Sequence, residues 1–262
     1  MSQHTLSYRY RRHRATGMPA GPLVPVFKAD WPFKLPAPFQ IVWRYLDLWK
    51  FEDMCRTSSL YFRRCDKFCD PLEGRLSKQG IHGTSESDRV FAAAYRNDQS
   101  YEAQASAQEV TRSCMFVNCW HMNTGESDRM WREYAPSSDS VVITSSVKAL
   151  KRAVPQEKLV ISAVRYVPED IPRTEFDHSS IFFYKDNSFG YERELRLLQP
   201  LHGGDQVSVD CEEDFGRNVP VNLRLLIHRI ILNKRISSSA RKRVTDLVQH
   251  YCIRAIVQES TL

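Results

Sequence analysis

The sequence predicts an α+β fold: a mixed, mainly antiparallel sheet with flanking helices. Three observations predict it. Strand-like and helix-like segments interleave along the chain, but several strands follow each other with no helix between them, which disfavours a doubly wound parallel sheet. The 262 residues are 42% hydrophobic and 26% charged, an ordinary globular composition. No stretch approaches the roughly 18 consecutive apolar residues of a membrane span, so no membrane partner is expected.

Residues 1–40 hold six of the 13 prolines. They read as an extended arm with a basic tip, Tyr8-Arg9-Tyr10-Arg11-Arg12-His13-Arg14. Residues 41–262 read as one α+β domain. Ile41 to Leu46 has strand composition, and Leu48 to Arg56 places Leu48, Phe51, Met54 and Cys55 on one helical face. Ser59 to Arg63 is a second strand. It enters a loop marked by Asp70-Pro71 and Gly74. Residues 84–112 are polar and Ala-rich and predict one or two helices.

Met115 to His121 reads as a strand, Gly125 to Tyr134 as a helix stopped by Pro136, and Val141 to Thr144 as a strand. A helix from Ser146 to Ala153 and a strand from Leu159 to Val167 follow. Ser179 to Lys185 fits either state. Tyr191 to Leu198 alternates with period two, and Leu225 to Leu232 is an apolar strand. Ser237 to Ser239 caps a basic helix running to Tyr251, and Ile253 to Val257 closes the fold.

Charge is unevenly placed. The net +6 divides into a first 40 residues with six basic and one acidic side chain, an acidic body, and residues 224–254 with eight basic and one acidic. Basic segments attract phosphate and release counterions. Arg9, Arg11, Arg12 and Arg14, with Arg241, Lys242 and Arg243, are therefore candidate nucleic-acid contacts. A solvated helix face and a solubilising arm account for the same charges. The seven cysteines are odd in number, and the Arg-rich start has no apolar core after it. Reduced thiols in a cytoplasmic protein are expected.

P-loop, dinucleotide, nucleophile-elbow and metalloprotease motifs are all missing. Cys65, Cys69, Cys114, Cys119 and His121 could be gathered as zinc ligands only by stretching the usual spacing, so no metal is expected. The suggestive segment is Tyr191-Glu192-Arg193-Glu194-Leu195-Arg196. On a strand, Glu192, Glu194 and Arg196 share one face. Two neighbouring carboxylates, one held by Arg196, suit recognition of ribose hydroxyls or stabilisation of positive charge at a sugar carbon. An ordinary Glu–Arg pair on a solvated strand has the same spacing. Trp131 and Tyr134, with Trp120, could wall a flat ligand, or simply be core.

Two resemblances follow from these residues. The order Trp43-Arg44-Tyr45-Leu46, Leu60-Tyr61-Phe62, Asp70-Pro71-Leu72-Glu73-Gly74, Cys119-Trp120, Met130-Trp131-Arg132-Glu133-Tyr134 and Tyr191-Glu192-Arg193-Glu194-Leu195-Arg196 resembles an uncharacterised bacterial family with members in abortive-infection (phage-defence) settings. That family has Asn where this chain has Cys69. More remotely, the succession Arg44, Thr144-Ser145-Ser146, Glu192-Arg193-Glu194 is similar to ADP-ribosyltransferases. The second resemblance implies NAD as substrate. It implies Arg44 on the diphosphate or adenosine ribose, Ser145 and Arg196 in the same binding site, Tyr61, Trp131 or Tyr134 against nicotinamide, Glu194 at the oxocarbenium centre and Glu192 orienting the acceptor. The acceptor would be a nucleic acid or a nucleic-acid-binding protein. The competing readings are a non-enzymatic nucleic-acid-binding or regulatory module, and a metal-dependent nuclease using Asp70, Glu73, Glu192 and Glu194.

Overall fold

The computed structural model describes residues 35–68, 70, 74, 109, 111–155, 159–168, 180–200 and 216–262. The basic tip Arg9, Arg11, Arg12 and Arg14, the loop residues Cys69 and Glu73, and most of the segment 84–112 lie outside them.

The predicted class holds: among the described residues a nine-stranded, mainly antiparallel sheet carries helices. Its strands are β1 (Ile41–Asp47), β2 (Ser59–Arg64), β3 (Met115–Met122), β4 (Ser140–Ser146), β5 (Val160–Ala163), β8 (Glu194–Pro200), β9 (Gly216–Pro220), β10 (Arg229–Leu232) and β11 (Ile256–Glu259). A separate parallel pair joins β6 (Arg165–Val167) to β7 (Tyr184–Asp186). The long central strand β3 runs antiparallel to β8 from Met115 to His121. Its other edge is shared by β1 and β2 in succession. β1 continues the sheet through β4 and β10 to β11, which lies parallel to β10.

Apart from the first, which follows Asp47 without a side-chain cap, the described helices begin where a short polar side chain caps the first turn. The helices are α1 (Leu48–Thr57), α2 (Asp128–Tyr134), α3 (Val147–Ala153), α4 (Leu223–Leu226) and α5 (Ser238–His250). Ser127, Ser146 and Ser237 Oγ accept from the Met130, Ala149 and Ala240 amides. Asn222 Oδ1 accepts from Arg224 and Leu225. Helix α1 ends on Ser58 in the left-handed region, φ 47°.

Register decides which side chains share a face, because directly paired residues in an antiparallel ladder point the same way. One face carries the main core. Val42, Leu46, Trp120, Ile143, Leu195, Leu197 and Ile230 meet Phe51 of α1, Leu150 of α3, Leu226 of α4 and Val244 of α5. The other face carries two smaller apolar clusters. Trp43, Tyr45, Val142 and Ile231 pack on Met130 and Trp131 of α2. Met115, Val117 and Leu198 pack on Ile181, Phe182 and Phe183.

Three expected elements differ. Leu159–Val167 is not one strand: it breaks at Val164, whose amide bonds the Glu194 carbonyl at 2.8 Å, and its halves join different sheets. Leu225–Leu232 starts as the Asn222-capped helix α4 and becomes strand only at Arg229. The period-two run Tyr191–Leu198 is strand only from Glu194, because a 3-10 turn covers Asn187–Glu192 and Arg193 is left-handed at φ 41°.

Candidate active site

A polar seam separates the two small clusters. The pairs Cys119↔Arg196 and His121↔Glu194 lie side by side on β3 and β8. Next to them along the same strands, Val117 and Leu198 belong to one apolar cluster. On the opposite side, Trp43, paired with His121, belongs to the other. Lys185 arrives from β7, Tyr166 from β6, Glu192 from the 3-10 turn and Tyr134 from the end of α2.

These side chains form a closed ionic cluster. Arg196 Nε donates to Glu194 Oε1 at 2.7 Å, Nη2 to Oε2 at 3.0 Å, and Nη1 to the Phe182 carbonyl at 2.6 Å. Lys185 Nζ lies 2.6 Å from Glu192 Oε2 and 3.7 Å from Glu194 Oε2. Tyr134 donates its phenol to Glu192 Oε1 at 2.5 Å. The Tyr166 hydroxyl accepts from the Glu194 amide at 2.8 Å. Both carboxylates are only 4% exposed. Two buried negative charges are thus matched by two buried positive ones, as burial requires. The left-handed Arg193 is what turns Glu192 back toward Glu194, where a regular strand would have run on.

Charge states follow from this packing. Burial pushes Glu194 up, but Arg196 and Lys185 outweigh it, and its carboxyl lies below the usual range. Burial and then the nearby Glu194 hold the Cys119 thiol well above its ordinary value. It is therefore not poised as a nucleophile. Burial lowers His121, which is neutral at pH 7. Its Nδ1 lies 2.6 Å from the Glu192 carbonyl, an acceptor, so the proton sits on Nδ1. That leaves Nε2 as a buried lone pair without a partner among the described residues. Burial and then the Glu192 charge push the Tyr134 phenol far up, keeping it a donor.

The structure brings Glu192, Glu194, Arg196 and Tyr134 together. Trp131 stands behind Tyr134 on the same helix, edge-on to Tyr45 with ring centroids 5.3 Å apart. Its indole N–H is held by Glu126 at 3.1 Å. Arg44 and Ser145 do not join them. Trp43 pairs with His121, so Arg44, one residue on, points through the other face. There its Nη1 donates to the Cys119 carbonyl at 2.7 Å and its guanidinium lies 6.0 Å from the Trp120 ring. Ser145 pairs with Val42 of the main core and is buried on that same far face. The expectation that Arg44 faces Glu194 across one pocket is corrected by this parity. Tyr61 sits on β2 beside the edge strand β9, 43% exposed.

Sequence reasoning missed Lys185 and Tyr166 as members of the cluster. The signal for Lys185 was a cation seven residues before Glu192, with a turn-forming Gly190 between them.

The basic helix is less free than its sequence implies. Arg241 pairs with Glu259 at 2.9 Å, Lys242 with Asp246 at 3.3 Å and Arg243 with Glu52 at 3.2 Å. Each exposed pair contributes about 0–1 kcal/mol, but together they cancel the local field. Among the described residues no three His, Cys, Asp or Glu side chains gather as a metal site, and no helix is long and apolar enough to cross a membrane.

No protein-family model and no curated protein sequence matches this chain. Among solved structures, the chain path is similar to Thermus sp. 2.9 DarT in complex with NAD+, with a TM-score of 0.38, 10% identity, and coverage of 86% of this chain and 97% of that one. It is similar to the same protein in complex with ADP-ribosylated ssDNA, with a TM-score of 0.38, 8% identity, and coverage of 87% and 97%. At this level of likeness no residue's role is carried across.

Proposed function

We propose that this protein is an NAD-using, ADP-ribosyltransferase-like enzyme whose chemistry is centred on Glu194. One observation carries the reading: two buried carboxylates from a turn and a strand converge on a single lysine directly beneath the 41%-exposed Tyr134. The residues fit a ribose in three respects. Glu194 stays ionised inside the protein, as a group facing a positively charged sugar carbon must. His121 Nε2 is a buried acceptor without a hydrogen-bond partner among the described residues, which a sugar hydroxyl would satisfy. The Tyr134 phenol covers Glu192 from the solvent side, and a sugar hydroxyl can take over its hydrogen bond.

In this reading the bond between C1′ of the ribose and the nicotinamide nitrogen breaks, and its electron pair leaves on nicotinamide. Glu194 stabilises the resulting oxocarbenium-like centre. The acceptor nucleophile forms the new bond at C1′ and releases its proton, with Glu192 orienting it. Arg196 and Lys185 keep Glu194 charged. Arg44 and Ser145 take no part, since they lie through the sheet. The acceptor is a nucleic acid or a nucleic-acid-associated protein, in a phage-defence or toxin setting. The net charge of +6 supports a polyanionic partner.

The test is nicotinamide release from NAD with single- and double-stranded DNA, RNA and mixed protein as acceptors. NAD at millimolar concentration raises the melting temperature. Glu194→Gln lowers release by roughly 100-fold or more while circular dichroism stays native. Absence of both the thermal shift and nicotinamide release with every acceptor overturns the reading.

A further inference from the structure

The basic C-terminal region identified in the sequence has a second part that the paired helix α5 does not absorb. Lys234 and Arg235 sit on the turn between β10 and α5, and among the described residues neither has an ion-pair partner. They line an open cleft of about 830 Å³. Asp128, Trp131 and Arg132 of α2 and Ser260 line it as well.

Among the side chains that line this space are three cations and one carboxylate. The carboxylate, Asp128, is tied to Arg132 at 2.6 Å, with both side chains more than 60% exposed. Such an exposed pair is worth about 0–1 kcal/mol and opens readily to a stronger anion. The walls are stiff. Asn233 Nδ2 donates to Ser140 Oγ at 3.0 Å, and its Oδ1 accepts from the Arg235 amide at 2.9 Å, which fixes the turn. Glu126 holds the Trp131 indole and also accepts from Ser260 Oγ and the Thr261 amide, which fixes the strand end against the helix.

The cleft and the carboxylates are reached from one helix. Residues 128, 131 and 132 of α2 line the cleft, while Tyr134 at its end bonds Glu192. Seven helical residues span only about 10 Å.

We propose that this cleft binds the phosphodiester backbone of a single-stranded nucleic acid, with Arg132, Lys234 and Arg235 as its phosphate contacts. Three cations from two elements, α2 and the turn before α5, along one open cleft suit charges spaced along a chain. As an acceptor-docking site it rests on the reading of the protein as a transferase. As a binding site it does not.

The test is fluorescence anisotropy of the full chain with a labelled 15-nucleotide single strand, without NAD, over 50–200 mM salt. Lys234→Ala/Arg235→Ala lowers affinity about 10-fold and reduces the slope of log K against log salt by about 1.4, two contacts at roughly 0.7 each. Asp128→Asn moves affinity the other way, raising it two- to three-fold. Replacing Arg9, Arg11, Arg12 and Arg14 by Ala in each background removes any contribution of the arm, and the cleft effects persist. Unchanged affinity and slope in the double variant, or equal displacement of the strand by free NAD or inorganic pyrophosphate at the same phosphate concentration, overturns the proposal. Strand binding without nicotinamide release sinks only the transferase reading. Nicotinamide release without strand binding sinks only this one.

Discussion

Lys185 is the side chain on which the cluster's charge balance turns, and Lys185→Met tests it. Its ammonium lies 2.6 Å from one buried carboxylate and 3.7 Å from another, and the residue is 8% exposed. At an effective dielectric of 20 the closer contact alone is worth about 6 kcal/mol of Coulomb attraction. Desolvation of the lysine offsets part of that. Breaking a buried pair from one side costs roughly 3–5 kcal/mol, because the partner's charge is left stranded. For a chain of this size each kcal/mol shifts the melting temperature by about 2–4 °C, so a fall of roughly 6–20 °C is expected near pH 7.5. The pH dependence identifies the cause. With the lysine gone, two acids face each other in a buried site, and one takes up a proton as pH falls. The penalty is therefore smaller at pH 5 than at pH 7.5. Lys185→Met/Glu192→Gln recovers at least half of the loss, since the amide still accepts from Tyr134. Calorimetry at both pH values provides the assay. A fall under about 2 °C, or a deeper fall at pH 5, refutes this account of the cluster.

Three further outcomes are expected. His121 has a folded pKa below its unfolded value of about 6.5, so the unfolded chain binds more protons below that pH and stability drops as pH falls from 7 to 5.5. Glu194, whose folded pKa is depressed, contributes stability that is present above about pH 4.3 and is lost as pH falls further. Urea midpoints across pH 3.5–7 check both, and His121→Asn flattens the upper leg alone. A midpoint that is level or rises on acidification contradicts both assignments. Gly216 allows β9 to lie against β2: a Cβ there would meet the Phe62 carbonyl at 2.3 Å and the Tyr61 ring at 2.5 Å. Gly216→Ala should cost about 1–3 kcal/mol, read as a lowered midpoint in urea, and a neutral result would show that β9 is free to shift outward.

Much of the sheet was legible because strand composition and polar caps are local signals. Ile41–Asp47, Met115–Met122 and the Ser237-capped α5 stand where hydrophobic period and capping chemistry place them. What failed depends on distant partners. Leu225–Leu232 is apolar throughout, and an apolar run cannot by itself distinguish a buried helical turn from a strand. The Asn222 cap was the missed local clue. Leu159–Val167 split because Val164 bonds the Glu194 backbone, a contact invisible from composition. At the site, the Glu192–Glu194 pair was legible as a motif, although a turn and a left-handed Arg193 unite it and a regular strand does not. Lys185 reaches it only through the β6–β7 pairing, which has a sequence separation of about twenty residues and no local signature.

Parity within the sheet explains the largest error and narrows what a ligand can touch. The strand order that suggested Arg44 as a partner for Glu194 is correct as an order: β1 and β8 both flank β3. Adjacency of strands does not bring side chains together, because a shift of one residue moves a side chain through the sheet. Trp43, not Arg44, shares a face with His121 and Glu194. A molecule resting on the carboxylates therefore meets Trp43, Tyr45 and α2, and cannot reach Arg44 or Ser145 without crossing the sheet. Cationic help for a diphosphate on that face must come from nearer groups. Arg129 stacks 3.2 Å from the Tyr191 ring centroid, and the exposed Arg193 contacts Asn123 at 3.4 Å. Both guanidiniums neighbour the turn that carries Glu192, and both are held by weak surface contacts that an incoming anion can replace at little cost.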